Sequence, residues 1–213
     1  MTKKQRAIAA VEGLKARYPD AICSLTAENP LQLLIAVRLS AQCTDARVNL
    51  VTPALFARYP SLEAFAAADV EEVGQYVHST GFWRAKARDM VACAQMLLER
   101  FDGKVPDNMD DLLSLPGVGR KTANLILGDI YGQDGYVCDT HCIRITGRLG
   151  ITDGSKDPVK VEMQLRNCIA PEESNDFCHR MVLHGRALCM ARGPQCSQCP
   201  LNRLCDYAAK EVN

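Results

Sequence analysis

Four cysteines, Cys189, Cys196, Cys199 and Cys205, follow one another as Cys-x6-Cys-x2-Cys-x5-Cys within seventeen residues. Four thiolates so close in sequence, with Gly193, Pro194 and Pro200 turning the chain between them, point to one metal centre. A four-cysteine zinc site usually takes two short Cys-x2-Cys pairs separated by a longer loop. Here one such pair is flanked by single cysteines, which suits a [4Fe-4S] cluster, where each iron takes one thiolate.

A second constellation lies upstream. In Leu115-Pro116-Gly117-Val118-Gly119-Arg120-Lys121 the proline ends one helical pattern, and two glycines allow positive φ and close backbone approach. The next helix then begins at its positive end. Amides of a tight turn beside a helix N-terminus make a phosphate site that grips nucleic-acid backbone without reading sequence. Gly117, Gly119 and Arg120 are the candidates for that contact.

Lys121 falls in the first turn, where the helix dipole disfavours an ammonium. With partial desolvation as well, such a lysine becomes a usable amine nucleophile. Eighteen residues on, Val137-Cys138-Asp139-Thr140-His141 places a carboxylate at a helix start. Asp139 can cap that helix and also move protons and steady positive charge for Lys121, since a cap fixes the carboxylate's orientation.

The elements that must carry these groups are helical. Ile8, Val11, Leu14 and Tyr18 predict one face of a helix over 5–18. Asn29-Pro30 opens an apolar helix to about Ala41, and another starts at Thr44 with a kink or restart expected at Pro53. Ser61 and Asp69 cap two short helices. A longer one covers 84–101, with Met90, Ala94, Leu97, Leu98 and Phe101 at helical spacing, and stops at Asp102-Gly103. Asn108 caps the helix before Pro116, and further helices start at Lys121, Asp139, Asp157 and about Glu172. Alternating strand patterns are absent, so the fold class is all-α. Gly132-Gln133-Asp134-Gly135 is the best internal boundary.

The 213 residues are 47% hydrophobic and 23% charged, an ordinary globular composition. Twenty-five basic residues balance twenty-five acidic ones, so a polyanion partner must be met by a local face. The polar start Met1–Arg6 lacks a signal core and no apolar run reaches bilayer length, which leads to the expectation of a cytoplasmic protein with no membrane association. Eleven cysteines would suggest a disulfide framework in a secreted protein, but the chain lacks a signal core and is too large for that class, and most of the seven outside the cluster read as small buried hydrophobes.

Leu39-Ser40-Ala41-Gln42-Cys43-Thr44-Asp45, the hairpin continuing into Thr122-Ala123-Asn124, Asp139-Thr140-His141, and His184-Gly185-Arg186 leading into the four cysteines together resemble the endonuclease III family of bacterial DNA glycosylases. The likeness runs through essentially the whole chain in family order. It implies a two-domain helix-hairpin-helix glycosylase fold. Residues 23–133 would form a six-helix barrel containing the helix-hairpin-helix (about 108–128), and 1–22 with 134–213 a discontinuous iron-sulfur cluster domain. It implies a monomeric base excision repair enzyme acting at the nucleoid on double-stranded DNA that contains damaged pyrimidines or abasic sites. Such an enzyme removes oxidised pyrimidines, then cuts 3′ to the abasic site by β-elimination through a lysine Schiff base.

Carried over, Lys121 attacks the sugar C1′, Asp139 assists, and Cys189, Cys196, Cys199 and Cys205 hold one [4Fe-4S] cluster. Gln42 and His141 match positions that fill the gap left by the extruded nucleotide, and Phe82 stands at a wedge position where leucine is expected. Arg186 and Arg192 are the phosphate contacts beside the cluster. Arg38 replaces a more usual apolar residue and is expected to face the DNA or pair with an acid; Cys138 replaces a valine before Asp139. Two alternatives are weaker. An adenine-mismatch glycosylase ordinarily lacks the lysine and adds a C-terminal domain, so Lys121 and the chain end at Asn213 stand against it. A non-catalytic iron-sulfur DNA-binding or redox module would predict neither Lys121 nor Asp139.

Overall fold

Helix starts coincide with the capping residues. The computed structural model describes residues 1–211, so the chain end at Asn213 lies outside it. Its α-helices are α1 Lys3–Arg17, α2 Pro30–Leu39, α3 Asp45–Arg58, α4 Leu62–Ala66, α5 Val70–Val77, α6 Trp83–Arg100, α7 Met109–Ser114, α8 Arg120–Asp129, α9 Thr140–Leu149, α10 Pro158–Arg166, α11 Ser174–Ala187 and α12 Asp206–Glu211. No strand occurs among the described residues, so the fold is all-α. Thr2, Asn29, Thr44, Ser61, Asp69, Asn108, Asp139 and Asp157 each accept a first-turn amide through the side chain. Each such cap is worth about 1 kcal/mol.

The chain divides into two compact units, Cys23–Tyr131 and Met1–Ile22 with Gly132–Asn213. In the first, α4 and α5 pack on α6, and α2 packs on α3, α6 and α8. Leu33, Leu34, Ile35, Ala36, Val37 and Leu39 of α2 are all buried, so this helix is a central rod. Gly74 lets α5 approach α6, because a Cβ there would lie 2.4 Å from the Trp83 ring. In the second unit, α11 packs on α1 and α9, and α9 on α12. Their core includes Leu14, Ile145, Leu149, Phe177 and Met181, with Tyr136 donating to the Ile169 carbonyl at 2.9 Å.

The structure departs from the sequence-based expectation at several points. Of the kink or restart expected at Pro53, the restart does not occur: α3 runs on through it, with Val48, Thr52 and Leu55 buried to either side. Packing of that face offsets the roughly 3 kcal/mol that an internal proline costs. On α1 the buried face is Ala7, Ala10, Val11 and Leu14, leaving Ile8 54% exposed. Leu98 likewise lies outside the buried stripe of α6. Among the described residues, no helix is long and apolar enough to cross a membrane.

Candidate active site and metal-binding pocket

In the unit Cys23–Tyr131, α7 and α8 flank the hairpin at Leu115–Gly119. Gly117 has φ +74°, and a Cβ on it would meet the Arg38 Nε at 2.5 Å and the Asp89 Cβ at 2.9 Å. Glycine is therefore required here for both backbone conformation and space. Arg38 forms an ion pair with Asp89, its Nε 3.0 Å from the carboxylate. The replacement of an apolar residue by Arg38 thus puts an ion pair under the turn, and of the two expected outcomes it is pairing with an acid that the chain adopts.

Gly119 differs. Its φ is −102°, a Cβ would meet nothing within 4 Å, and as N-cap of α8 it supplies no side-chain cap. The start of α8 is thereby open toward solvent. Lys121 projects from that first turn and is exposed. The folded chain leaves Lys121 exposed and does not supply the partial desolvation invoked for it.

Gln42 and Phe82 lie in the same unit, on two loops that leave helical segments. Both have positive φ, 54° and 48°, and both are exposed, Phe82 by 69%. A left-handed conformation costs a non-glycine residue about 1–2 kcal/mol, so each must be held by its surroundings. The holder is a residue that the sequence motifs do not single out. Lys86 is only 1% exposed, and its Nζ donates to the carbonyls of Leu39 and Thr80, each at 2.8 Å. A signal was available, since Lys86 shares the stripe Met90, Cys93 and Leu97 of α6, where a lysine interrupts an apolar face.

In the other unit Asp139 caps α9, its Oδ1 accepting the Cys142 amide at 2.7 Å. Cys138 is buried, and the neighbouring Cys138 and Cys178 thiols together with full burial push the Cys142 thiol well up. His141, in the first turn of α9, lies 3.1 Å from the Arg144 guanidinium.

Cys189, Cys196, Cys199 and Cys205 line one pocket of about 360 Å³ including its open mouth, walled also by Ile145, Leu149 and Leu188. Among the described residues no three Cys, His, Asp or Glu side chains converge on a single ion's position. Burial pushes the Cys199 thiol up, so a metal loading there must displace its proton.

Three side chains around the pocket, Arg144, Arg148 and His184, have contacts that the sequence does not show, although His184 stands in the motif leading into the cysteines. Arg144 donates to the Cys189 carbonyl at 2.9 Å, and Arg148, one turn on, donates to the carbonyls of Met190 (2.7 Å) and Ala191 (3.0 Å) and to the Cys189 sulfur (3.2 Å). Burial and nearby Arg17 push the His184 imidazole down to about 4, leaving it neutral. Its Nε2 lies 3.4 Å from the Cys199 sulfur, and its Nδ1 3.3 Å from the Tyr18 hydroxyl. A ring protonated at Nε2 donates to sulfur and accepts from Tyr18. Arg186 and Arg192 are both exposed, at the end of α11 and in the loop after Cys189. The site residues therefore divide by unit. Gln42, Phe82, Gly117, Gly119, Arg120 and Lys121 stand in one, and Asp139, His141, Arg186, Arg192 and the four cysteines in the other.

Comparison with known proteins gives this arrangement a family. Residues 35–171 match the model of the HhH-GPD superfamily base excision DNA repair proteins. The chain is 47% identical to endonuclease III of Synechocystis sp. over 97% of its own length and 94% of the relative's. It is 41% identical to the Bacillus subtilis protein of that name, over 91% and 88%. Among solved structures, a trapped endonuclease III–DNA covalent intermediate superposes with TM-score 0.95 at 41% identity, covering all of both chains. With these likenesses spanning nearly its whole length, the chain belongs to the endonuclease III family of helix-hairpin-helix base excision repair enzymes.

Proposed function

We propose that this protein is a bifunctional DNA glycosylase and abasic-site lyase that removes oxidised pyrimidines from duplex DNA, with Lys121 as nucleophile. The observation that carries the assignment is an exposed lysine in the first turn of α8, directly after a glycine hairpin with no side-chain cap. The uncapped helix end suits a DNA phosphate, which would bring the sugar to Lys121. The bound duplex would supply the desolvation that the folded chain does not, displacing water from the amine as the nucleotide enters.

In the reaction, the Lys121 Nζ bonds to the sugar C1′ as the glycosidic bond breaks and the base leaves with its electron pair. Loss of the amine proton and opening of the sugar ring give a Schiff base. Removal of a C2′ proton then expels the 3′ phosphate. Asp139, its orientation fixed by the cap, serves the proton transfers and steadies the developing cation. Gln42 and His141 fill the vacated space, Phe82 wedges the stack, and Gly117, Gly119, Arg120, Arg186 and Arg192 hold the backbone. The unit Cys23–Tyr131 acts as the hairpin-bearing barrel domain and the other unit as the cluster domain. A place of action at the nucleoid accords with the substrate.

The cysteine pocket fits a [4Fe-4S] cluster. Four cysteines line one pocket with apolar walls, the thiolate set that a cubane needs, with Arg148 and His184 offering donors to two of the sulfurs. Such a cluster with all four positions filled would serve as a structural anchor for the loop carrying Arg192. The assignment is tested by incubating the protein with a duplex bearing one thymine glycol. Base release and a β-elimination 3′ end are expected, along with visible iron–sulfur absorbance. Base release without strand scission would remove the lyase step, and zinc in place of iron would remove the cluster.

A further inference from the structure

A lysine buried to 1% exposure is an unusual member of an apolar helix stripe, since an ammonium out of water needs full hydrogen bonding to persist. Burial lowers the Lys86 pKa, with Cys43 raising and Arg38 lowering it to smaller extents. Either protonation state still has at least two N–H donors, which matches the two carbonyls it reaches. Those carbonyls are specific ones. Leu39 is the last residue of α2, and Thr80 is the last residue of the 3-10 turn His78–Thr80, so each carbonyl lies where a helix has run out of amide partners.

One side chain thus ties together two helix C-termini that are distant in sequence. Each terminus leads directly into a residue with a left-handed backbone. Gln42 stands three residues after Leu39, and Phe82 two after Thr80. These are two of the three non-glycine residues with positive φ among the described residues. The Gln42 loop is closed by the Cys43 amide on the Ser40 carbonyl at 3.0 Å. Phe82 is the N-cap of α6, with no side-chain cap, and its carbonyl takes the Lys86 amide at 3.1 Å.

We infer that Lys86 is a positioning residue for duplex engagement, holding the Gln42 and Phe82 loops at a fixed separation so that both side chains can enter the base stack together. The inference rests on the reading of Gln42 and Phe82 as the residues that fill and wedge the DNA. Lys86 itself touches no substrate. Its loss would remove the bridge between the Leu39 and Thr80 carbonyls, while the Arg38–Asp89 ion pair, which joins α2 to α6 beneath Gly117, stays in place to hold the hairpin.

A substrate that needs no unstacking should be indifferent to this clamp. Lys86→Met keeps most of the aliphatic stem and deletes the donors. In the metal-loaded protein, kcat/KM on a thymine-glycol duplex is expected to fall at least tenfold, while cleavage of a single-stranded abasic oligonucleotide stays within twofold. Amide hydrogen exchange should quicken in 40–43 and 80–83 and stay unchanged in 115–120. Lys86→Arg, which restores a cationic donor, should recover part of the duplex activity. Should Lys86→Met not fold, Lys86→Gln carries the same test, since its shorter amide cannot span both carbonyls. Equal loss on both substrates, or no loss on the duplex, would overturn the clamp. Gln42→Ala and Phe82→Ala separate the two layers. If they lose duplex activity and the Lys86 variants do not, the clamp alone fails; if they lose none, the reading of the loops fails and takes the clamp with it.

Discussion

Two glycines two residues apart in the hairpin answer to different demands. Gly117 has positive φ and no room beside Arg38 and Asp89, so Gly117→Ala should lower unfolding free energy by about 2–4 kcal/mol, read from urea titration. Gly119 has an ordinary φ and open space, so Gly119→Ala should change stability by less than about 1 kcal/mol. Its expected effect is on DNA affinity, because the added methyl stands where a phosphate would approach. Weakened folding with intact affinity in Gly119→Ala would contradict that role. Asp139 can be dissected in the same spirit. Asparagine caps as well as aspartate, so Asp139→Asn should fold with stability within about 0.5 kcal/mol of the parent. Its base-release rate should drop by about 10²–10⁴, the usual share of a proton-transferring group. Burial pushes the Cys93 thiol up to about 12. A thiol whose folded pKa is raised contributes stability that is complete below the unfolded value, near 9, and is lost as pH rises toward 12. Cys93→Ala should flatten that alkaline decline.

At the scale of elements, what could be read in the sequence was local. Asn29, Thr44, Ser61, Asp69, Asn108, Asp139 and Asp157 bond amides two or three residues away, and each marks a helix start that the structure shows. What could not be read depends on packing between elements. Pro53 stays within α3 because a buried face carries the helix past it, and Ile8 is exposed because α1 turns its alanines inward. Arg144 and Arg148 sit one turn apart on α9, an unremarkable pattern in sequence, yet both clamp the loop at Cys189–Ala191 some forty residues away. That clamp makes a prediction about the metal site. Arg148→Met removes donors to two carbonyls and one sulfur, a loss of about 1–3 kcal/mol. The visible absorbance of the variant should bleach faster under a chelator, with α-helical content unchanged. Parental bleaching rates would show that the loop needs no such support.

For the molecule as a whole, zero net charge makes DNA affinity a matter of a few placed cations. If Arg120, Arg186 and Arg192 are the backbone contacts, the logarithm of the association constant should fall with the logarithm of salt at a slope near −3, by about 0.9 per phosphate neutralised. Each single Arg→Ala change should reduce the slope by about one; a slope near zero would remove all three. Family membership was legible because the hairpin, the lysine, the aspartate and the four cysteines are contiguous or regularly spaced. Lys86 was legible only as a break in the apolar stripe of α6; its role was not, because its two partners lie 6 and 47 residues away and are backbone atoms that any residue could supply. The central claim, that Lys121 forms a covalent Schiff base with the damaged nucleotide, is tested most directly by borohydride reduction on an abasic duplex followed by peptide mapping. A stable protein–DNA adduct on Lys121, absent in Lys121→Ala, is the predicted result. An adduct of equal yield in Lys121→Ala, or one mapped to another residue, would contradict it.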